Sequence, residues 1–505
     1  MFQEKREKLF FILLVSLGTF CRLLFLGKND LWYDEAATFL RLQSNSYQNL
    51  HIYYRVLNVS VRLFGPSEFG LRFPSVLFSA GALAAAYFLF KRMFDRNRAL
   101  IALALMAFSP FHLWYAQEAR NYTVGLLPGI LTVYFGQGFL FSQKKTLPWS
   151  YLFYLLSAIV GFWFGYTYPA FFFLHLCCVL LFLRPDIKKT FGLILPTVAF
   201  LPRFVFFLGR IHAIQEGFWV PLPTPASFFI TLENFLLGYN GTTLLYRFAD
   251  FFIFFSLITS VAALLKIRKE PYPYGLALSS AFSFIPLVAT SILSFLFLSL
   301  YLDRLFLIFT PYYYGLLAWS LGRIRNAKIK VPLVAGLLIL LWAADVRYFS
   351  NQMYQPNNTE HHMGTFLKKP FKPLAAFLKK ELKDGDRLLC GYSAPVYPLD
   401  YYLTQDDKKS SFLPLLAYDP YAQDPDTRRP FTMVRKKSFY ITKDNAAALL
   451  KDDGARIFYI GGKFQRDGSM DENSQSVKAF FDEKLKLLEE KDFDGLRLFV
   501  YKKRP

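Results

Sequence analysis

The sequence predicts a polytopic α-helical membrane protein of about eleven transmembrane helices, followed by a C-terminal soluble α/β domain. Three observations carry that expectation. The 505 residues are 54% hydrophobic and only 19% charged, with a mean hydropathy of +0.27, outside the usual range of soluble chains. Apolar runs of spanning length recur from residues 9–26 as far as Phe349. The basic residues behind the net charge of +21 fall in every second loop between those runs. That is the positive-inside pattern, so the charge reports topology and argues against nucleic acid as a partner.

Lys5, Arg6 and Lys8 precede the first run, which lacks a cleavage-like small-residue site and reads as an anchor. With the N-terminus in the cytoplasm, spans are expected near 9–27, 69–90, 99–115, 122–142, 150–167, 169–184, 190–209, 248–266, 275–299, 305–322 and 331–349. The far-side segments are then 28–68, 116–121, 210–247, 300–304 and everything after about 350. In a bacterial inner membrane that side is the periplasm. The expected domains are a membrane domain over 1–349, with its first periplasmic loop at 28–68, and a periplasmic α/β domain over 350–505.

That tail changes character. KKPFKPLAAFLKKELKDGDRLLCGY reads as an amphipathic helix, a D-G turn and a strand, and RIFYIGG and GLRLFVYKK read as further strands. No phosphate loop, metal motif or internal repeat is visible. Cys21, Cys177, Cys178 and Cys390 show neither C-x-x-C spacing nor a His partner, so no zinc or redox site is suggested.

The far-side loops collect the residues that are expensive to place near hydrocarbon. Asp34 and Glu35 lie in NDLWYDEAAT, Gln117, Glu118 and Arg120 in YAQEARNY, and Asp303 and Arg304 in SLYLDRLF. Three turns thus deliver acids and arginines to one face. Adjacent helical residues diverge by about 100°, so Asp34 and Glu35 cannot both aim at one point; Asp34 is the expected inward acid, and Glu35 could hold a neighbour or a metal. In HIYYRVLNVSVRLFG, His51, Arg55, Asn58 and Arg62 form one polar stripe opposite Ile52, Val56, Val59 and Leu63, the pattern of a helix in the membrane interface. Such a helix can simply rest on lipid, or can use Arg55 or His51 to hold a lipid phosphate. The Pro-rich stretch 217–241 suits a lid, a lateral wall or packing. Tyr53, Tyr54 and the tyrosines of YYYGLLAW suit an interfacial belt or a sugar platform.

LWYDEAAT, IYYRVLNVSVRLFGPSEFGLRFPSVLF and MAFSPFHLWYAQEARNYTVGLL together resemble the bacterial members of the dolichyl-phosphate-mannose protein mannosyltransferase and aminoarabinose transferase superfamily. These are integral-membrane glycosyltransferases of the GT-C class. The resemblance implies transfer of a sugar from a polyprenyl-phosphate carrier to an acceptor hydroxyl on the far side of the membrane. It puts the first-loop acid on Asp34 with Glu35 beside it, the second acidic motif on Glu118 with Arg120 and Tyr122, and the late arginine on Arg304. Many relatives carry His-Pro-Pro-Leu-Tyr in the first loop, where this chain has Asn49-Leu50-His51-Ile52-Tyr53, so the resemblance does not name the acceptor. The lectin-like repeats of the eukaryotic enzymes are missing, as in a bacterial enzyme.

The departing lipid phosphate needs cations rather than a proton, which suits Arg304 first, then Arg55, Arg120 and His51. The acceptor hydroxyl needs a base, and Asp34 suits that role because a carboxylate taken partly out of water holds a proton more tightly. Glu118 and Glu35 complete the expected catalytic acids, while Gln117, Tyr122, Tyr53, Tyr54 and Asp303 are the expected substrate contacts. No cofactor is required, though hard oxygen ligands could hold a divalent cation. The expected partners are a polyprenyl-phosphate-sugar and a glycan, lipid or protein acceptor of the envelope. A flippase for such lipids, or a noncatalytic envelope assembly protein, would share the composition; a carrier would place its charges at the membrane midplane rather than at span ends.

Overall fold

Away from water a backbone segment satisfies its polar groups within itself, so the apolar runs of this chain become helices. The computed structural model describes residues 2–43, 52–142, 148–165, 167–202, 204, 220–351, 361, 368–383, 385–391, 395–404, 415–417, 456–461, 470 and 472–504. It divides into two units. One comprises Met1–Leu26, Leu50–Gln352 and Pro356–Thr365; the other comprises Gly27–Asn49, Met353–Gln355 and Phe366–Pro505.

In chain order the helices are α1 (Phe2–Leu23), α2 (Tyr33–Gln43), α3 (Ile52–Phe64), α4 (Glu68–Met93), α5 (Arg96–Ala107), α6 (Pro110–Ala116), α7 (Tyr122–Leu140), α8 (Trp149–Phe164), α9 (Tyr168–Leu183) and α10 (Ile187–Ile194). There follow α11 (Pro225–Leu237), α12 (Thr243–Leu264), α13 (Pro273–Leu296), α14 (Thr310–Gly322) and α15 (Ala327–Asn351). The helices of the tail are α16 (Phe371–Glu381), α17 (Val396–Thr404) and α18 (Glu472–Lys484). Among the described residues, α4, α7, α12, α13 and α15 are long and apolar enough to cross a membrane, and the bent pair α5 and α6 adds a sixth candidate; α8, α9 and α11 are shorter apolar helices.

These helices follow the expected spans, with three differences. The expected span at 190–209 appears as α10 and a 3-10 turn, Leu195–Phe200, with most of the rest outside the described residues. The expected span at 305–322 starts with a 3-10 turn, Asp303–Phe306, before α14, whose residues from Thr310 to Leu321 are all buried. Within the loop expected at 210–247, Thr224 and Ser227 form a reciprocal cap and Pro225 opens α11.

The first unit depends on one break. Pro110 has no N–H, and its ring excludes helical continuation from Met106. Ser109 caps the new start through its Oγ, and α6 leaves α5 at 57°. The carbonyls freed at that bend are taken by Arg22, which is fully buried at the end of α1. Its Nη2 donates to Met106 O at 3.0 Å, its Nη1 to Ala107 O at 2.9 Å and Gly18 O at 2.7 Å, and its Nε to Ser79 Oγ at 2.7 Å. Asp345 on α15 is also buried. Gly18 permits the close approach, since a Cβ there would lie 2.8 Å from Leu83 Cδ1.

In the second unit the described strands are β1 (Arg387–Cys390), β2 (Leu415–Ala417), β3 (Ile457–Gly461), β4 (Leu485–Phe493) and β5 (Leu496–Lys503), in the order β2-β1-β3-β5-β4. β1 runs parallel to β2 and β3, while β5 is antiparallel to β3 and β4. The expected helix and strands of the tail are α16, β1, β3 and β5; Gly385, with φ of 90°, makes the turn before β1. Residues Gly27–Asn49, from the first loop, fold with this tail.

Arg22→Ala should lower stability by about 3–5 kcal/mol, because it leaves the buried carbonyls of Met106 and Ala107 and the Ser79 hydroxyl without their donor. Arg22→Lys should recover only part of it, having no planar fork. Thermal unfolding of the purified protein in detergent measures both, and a loss below about 1 kcal/mol would contradict this account of the bend.

Candidate functional site

The loop after α6 is held from several directions. Gln117, buried, donates through Nε2 to Arg22 O at 3.0 Å and Leu24 O at 2.7 Å, carbonyls left over at the end of α1, and its Oε1 accepts from Tyr348 OH at 2.6 Å. Ser75 Oγ on α4 donates to Glu118 O at 2.6 Å. Thr123 Oγ1 donates to Ser75 O at 3.1 Å, and Asn121 Nδ2 to Phe164 O at 3.0 Å. The amide of Gln117, expected to touch substrate, is thus committed to backbone and Tyr348. A loop whose backbone is this constrained presents its remaining side chains at fixed positions.

Those side chains are Glu118, Arg120 and Tyr122. Glu118 is buried, and its Oε1 accepts the indole N–H of Trp114 at 2.9 Å. The Arg120 guanidinium carbon lies 5.8 Å from the centre of the Tyr122 ring, and that of Arg304 lies 5.9 Å from the same ring. One phenol therefore gathers cations from two turns far apart in sequence, within the range of cation–π attraction. Behind them Tyr115 OH and Tyr239 OH share a hydrogen bond of 2.5 Å.

Arg304 is placed by its neighbour. Asp303 is fully buried, with Oδ1 accepting from Thr231 Oγ1 at 2.7 Å and Oδ2 from Asn234 Nδ2 at 2.5 Å. These bonds tie the 3-10 turn Asp303–Phe306 to α11. Asp303, expected as a substrate contact, has both carboxylate oxygens engaged by protein. Burial pushes its carboxyl up to about 7, against the pull of the two donated hydrogen bonds.

The remaining expected residues belong to α3 and, in the second unit, to α2. On α3, Tyr53, Leu57 and Ser60 are buried, Arg55 and Arg62 are exposed, and Val59 and Leu63 form an exposed apolar side. The helix has three faces rather than two: one packs through Ser60 Oγ onto Gly70 O at 2.6 Å, one is apolar and one cationic. Tyr53 and Tyr54 are buried, and His51 lies outside the described residues. In the second unit, Asp34 is half-buried at the start of α2 and Glu35 is fully buried. Glu35 Oε2 lies 3.3 Å from Lys368 Nζ, both side chains inaccessible to solvent. Of the two adjacent acids, Glu35 thus holds a neighbour. Among the described residues no three His, Cys, Asp or Glu side chains gather as a metal site.

Sequence reasoning passed over Arg22, Asp345, Glu233, His361 and Lys368. A charge closing the first apolar run was a usable signal for Arg22; nothing local marks Lys368 or His361.

Residues 52–208 match the sequence profile of the dolichyl-phosphate-mannose-protein mannosyltransferases. No curated protein sequence matches significantly. The fold is shared with ArnT from Cupriavidus metallidurans, at a TM-score of 0.59 and 12% identity for the apo crystal structure and 0.58 and 13% for the structure bound to undecaprenyl phosphate, each covering 97% of both chains. The apo oligosaccharyltransferase of Archaeoglobus fulgidus is similar at a TM-score of 0.52 and 11% identity, over 96% of this chain and 69% of that one. The chain has the GT-C membrane fold, as its sequence resemblance implied.

Asp303 yields a pH test. Between its ordinary value of 3.8 and about 7, the folded protein holds a proton that the unfolded chain has released, so stability falls as pH rises through that window. Detergent-solubilised protein should unfold at a lower temperature at pH 8 than at pH 5, and Asp303→Asn should shrink the difference. An unchanged difference would exclude Asp303 as its source.

Proposed function

We propose that this GT-C-type glycosyltransferase moves a sugar, with inversion, from a polyprenyl-phosphate-linked donor to an acceptor hydroxyl at the periplasmic face of the inner membrane. The acceptor class is an envelope glycan, lipid A or lipopolysaccharide, or protein. The observation that carries this reading is the meeting of Arg120 and Arg304 at the ring of Tyr122. The undecaprenyl phosphate held by the Cupriavidus ArnT of the same fold supports a donor of this kind.

In the reaction, the acceptor oxygen forms a bond to the anomeric carbon as the bond from that carbon to the phosphate oxygen breaks. The acceptor proton passes to Asp34, and the lipid monophosphate leaves with the electron pair. Arg304 and Arg120 stabilise the charge that grows on that phosphate, and in a poorly hydrated site they do so without being reorganised. Glu118, fixed by Trp114, orients substrate hydroxyls. Arg55, exposed on α3, meets the lipid headgroup region and makes a weaker contribution.

Arg304→Ala should lower kcat by about 10²–10³-fold, the usual cost of one preorganised donor. Asp34→Asn should abolish transfer while leaving the unfolding temperature unchanged. Both are read by sugar transfer from polyprenyl-phosphate donors in membranes, with mass spectrometry of envelope lipids and glycans from cells with and without the gene naming the sugar. Transfer by Asp34→Asn at the wild-type rate would remove the base from this mechanism.

A further inference from the structure

His361 follows the last long helix and belongs to the first unit. It makes three contacts there. Its ring lies parallel to that of Tyr246, 3.6 Å between centroids and 10° between planes. Its Nε2 bonds Glu233 Oε2 at 2.6 Å, both side chains nearly buried. Its backbone carbonyl accepts from Asn234 Nδ2 at 2.8 Å, and the same amide donates to Asp303 Oδ2 at 2.5 Å.

One residue therefore grips two consecutive positions of α11, which project about 100° apart. That grip resists rotation of the helix about its axis. Thr231, one turn earlier, accepts from Tyr301 OH at 3.1 Å and donates to Asp303. Asp303 is the residue before Arg304. The Glu233 carboxylate also meets Asp250 on α12, with Arg247 nearby. Without the imidazole, Glu233 loses the donor that fixes its carboxylate, and this side of α11 is released.

We propose that His361 is a positioning residue, which locks the rotation of α11 and thereby holds the Asp303–Phe306 turn so that Arg304 stays beside Tyr122. His361 itself touches no reacting group. The ligand arm of the following test rests on the phosphate role assigned to Arg304 above; the exchange arm does not.

The full-length protein in detergent is compared as wild type, His361→Ala, His361→Gln, Arg304→Ala and the His361→Ala/Arg304→Ala double variant, with unfolding temperatures recorded for each. Hydrogen exchange at the amides of residues 303–307 should quicken by about tenfold in His361→Ala, the loss of one charge-assisted hydrogen bond. It should return most of the way in His361→Gln, whose side-chain amide keeps a donor for Glu233. Exchange at wild-type rates in His361→Ala overturns the proposal.

Binding of undecaprenyl phosphate should weaken in His361→Ala and in Arg304→Ala, and the double variant should bind no more weakly than Arg304→Ala alone. Losses that multiply in the double variant overturn the proposal, since the two residues would then act independently. Should Arg304→Ala bind as wild type does, the phosphate role of Arg304 fails, and the exchange rates alone decide whether His361 holds the turn.

Discussion

A proline in an apolar segment frees backbone carbonyls that lipid cannot satisfy, and the placement of the loop after α6 in this protein's first unit depends on how they are met. Arg22 meets them with a planar fork of donors reaching Met106 O, Ala107 O and Gly18 O. Lysine offers a point charge in that place and no fork. With the bend fixed, α6 delivers Gln117 to the frayed end of α1, and its two donated hydrogen bonds there close the same corner from the opposite side. The buried guanidinium is satisfied by the carbonyls of Gly18, Met106 and Ala107 and by Ser79 Oγ, so the corner carries a charge whose donors are taken by protein oxygens.

The polar residues that the sequence singles out divide by what their side chains meet. Gln117, Asp303 and Glu35 are acids or amides whose side chains are each engaged by protein partners: backbone and Tyr348, Thr231 and Asn234, or Lys368. Arg120 and Arg304 instead project to a shared aromatic ring. Building residues beside functional ones in sequence is economical, because a guanidinium is only as well placed as the backbone that carries it. Asp303 and Arg304 show the arrangement most directly, an inward anchor followed by an outward cation.

The apolar helices, the helix at 52–64 and the α/β character of the tail were legible because each rests on periodicity within a short window. The meeting of the 116–122 loop with the 300–304 turn was legible for a different reason: charge near hydrocarbon is costly, and acids and arginines marked both places. What escaped depends on partners distant in sequence. Glu35 and Lys368 carry no local sign of each other, and Gln117 reads the same whether it binds sugar or backbone. The strand β4 was missed because LKLLEEKDF, following α18 without a break, has the charged composition of a helix end, and only pairing with β5 makes it a strand. The third face of α3, buried through Tyr53, Leu57 and Ser60, escaped because two-faced patterning was assumed.

The segment Gly27–Asn49 has a consequence for biosynthesis. It leaves the ribosome just after the first helix, yet its contacts lie at the other end of the chain: Leu31 N donates to Tyr402 OH, Asp30 accepts from Lys372 N at a separation of 342 residues, and Glu35 pairs with Lys368. Translation proceeds from the N-terminus, so α2 meets Lys368 and Tyr402 only after those residues have been made. A nascent chain ending before residue 368 lacks the ammonium that Glu35 meets in the finished protein, so this early loop gains its partners late in synthesis.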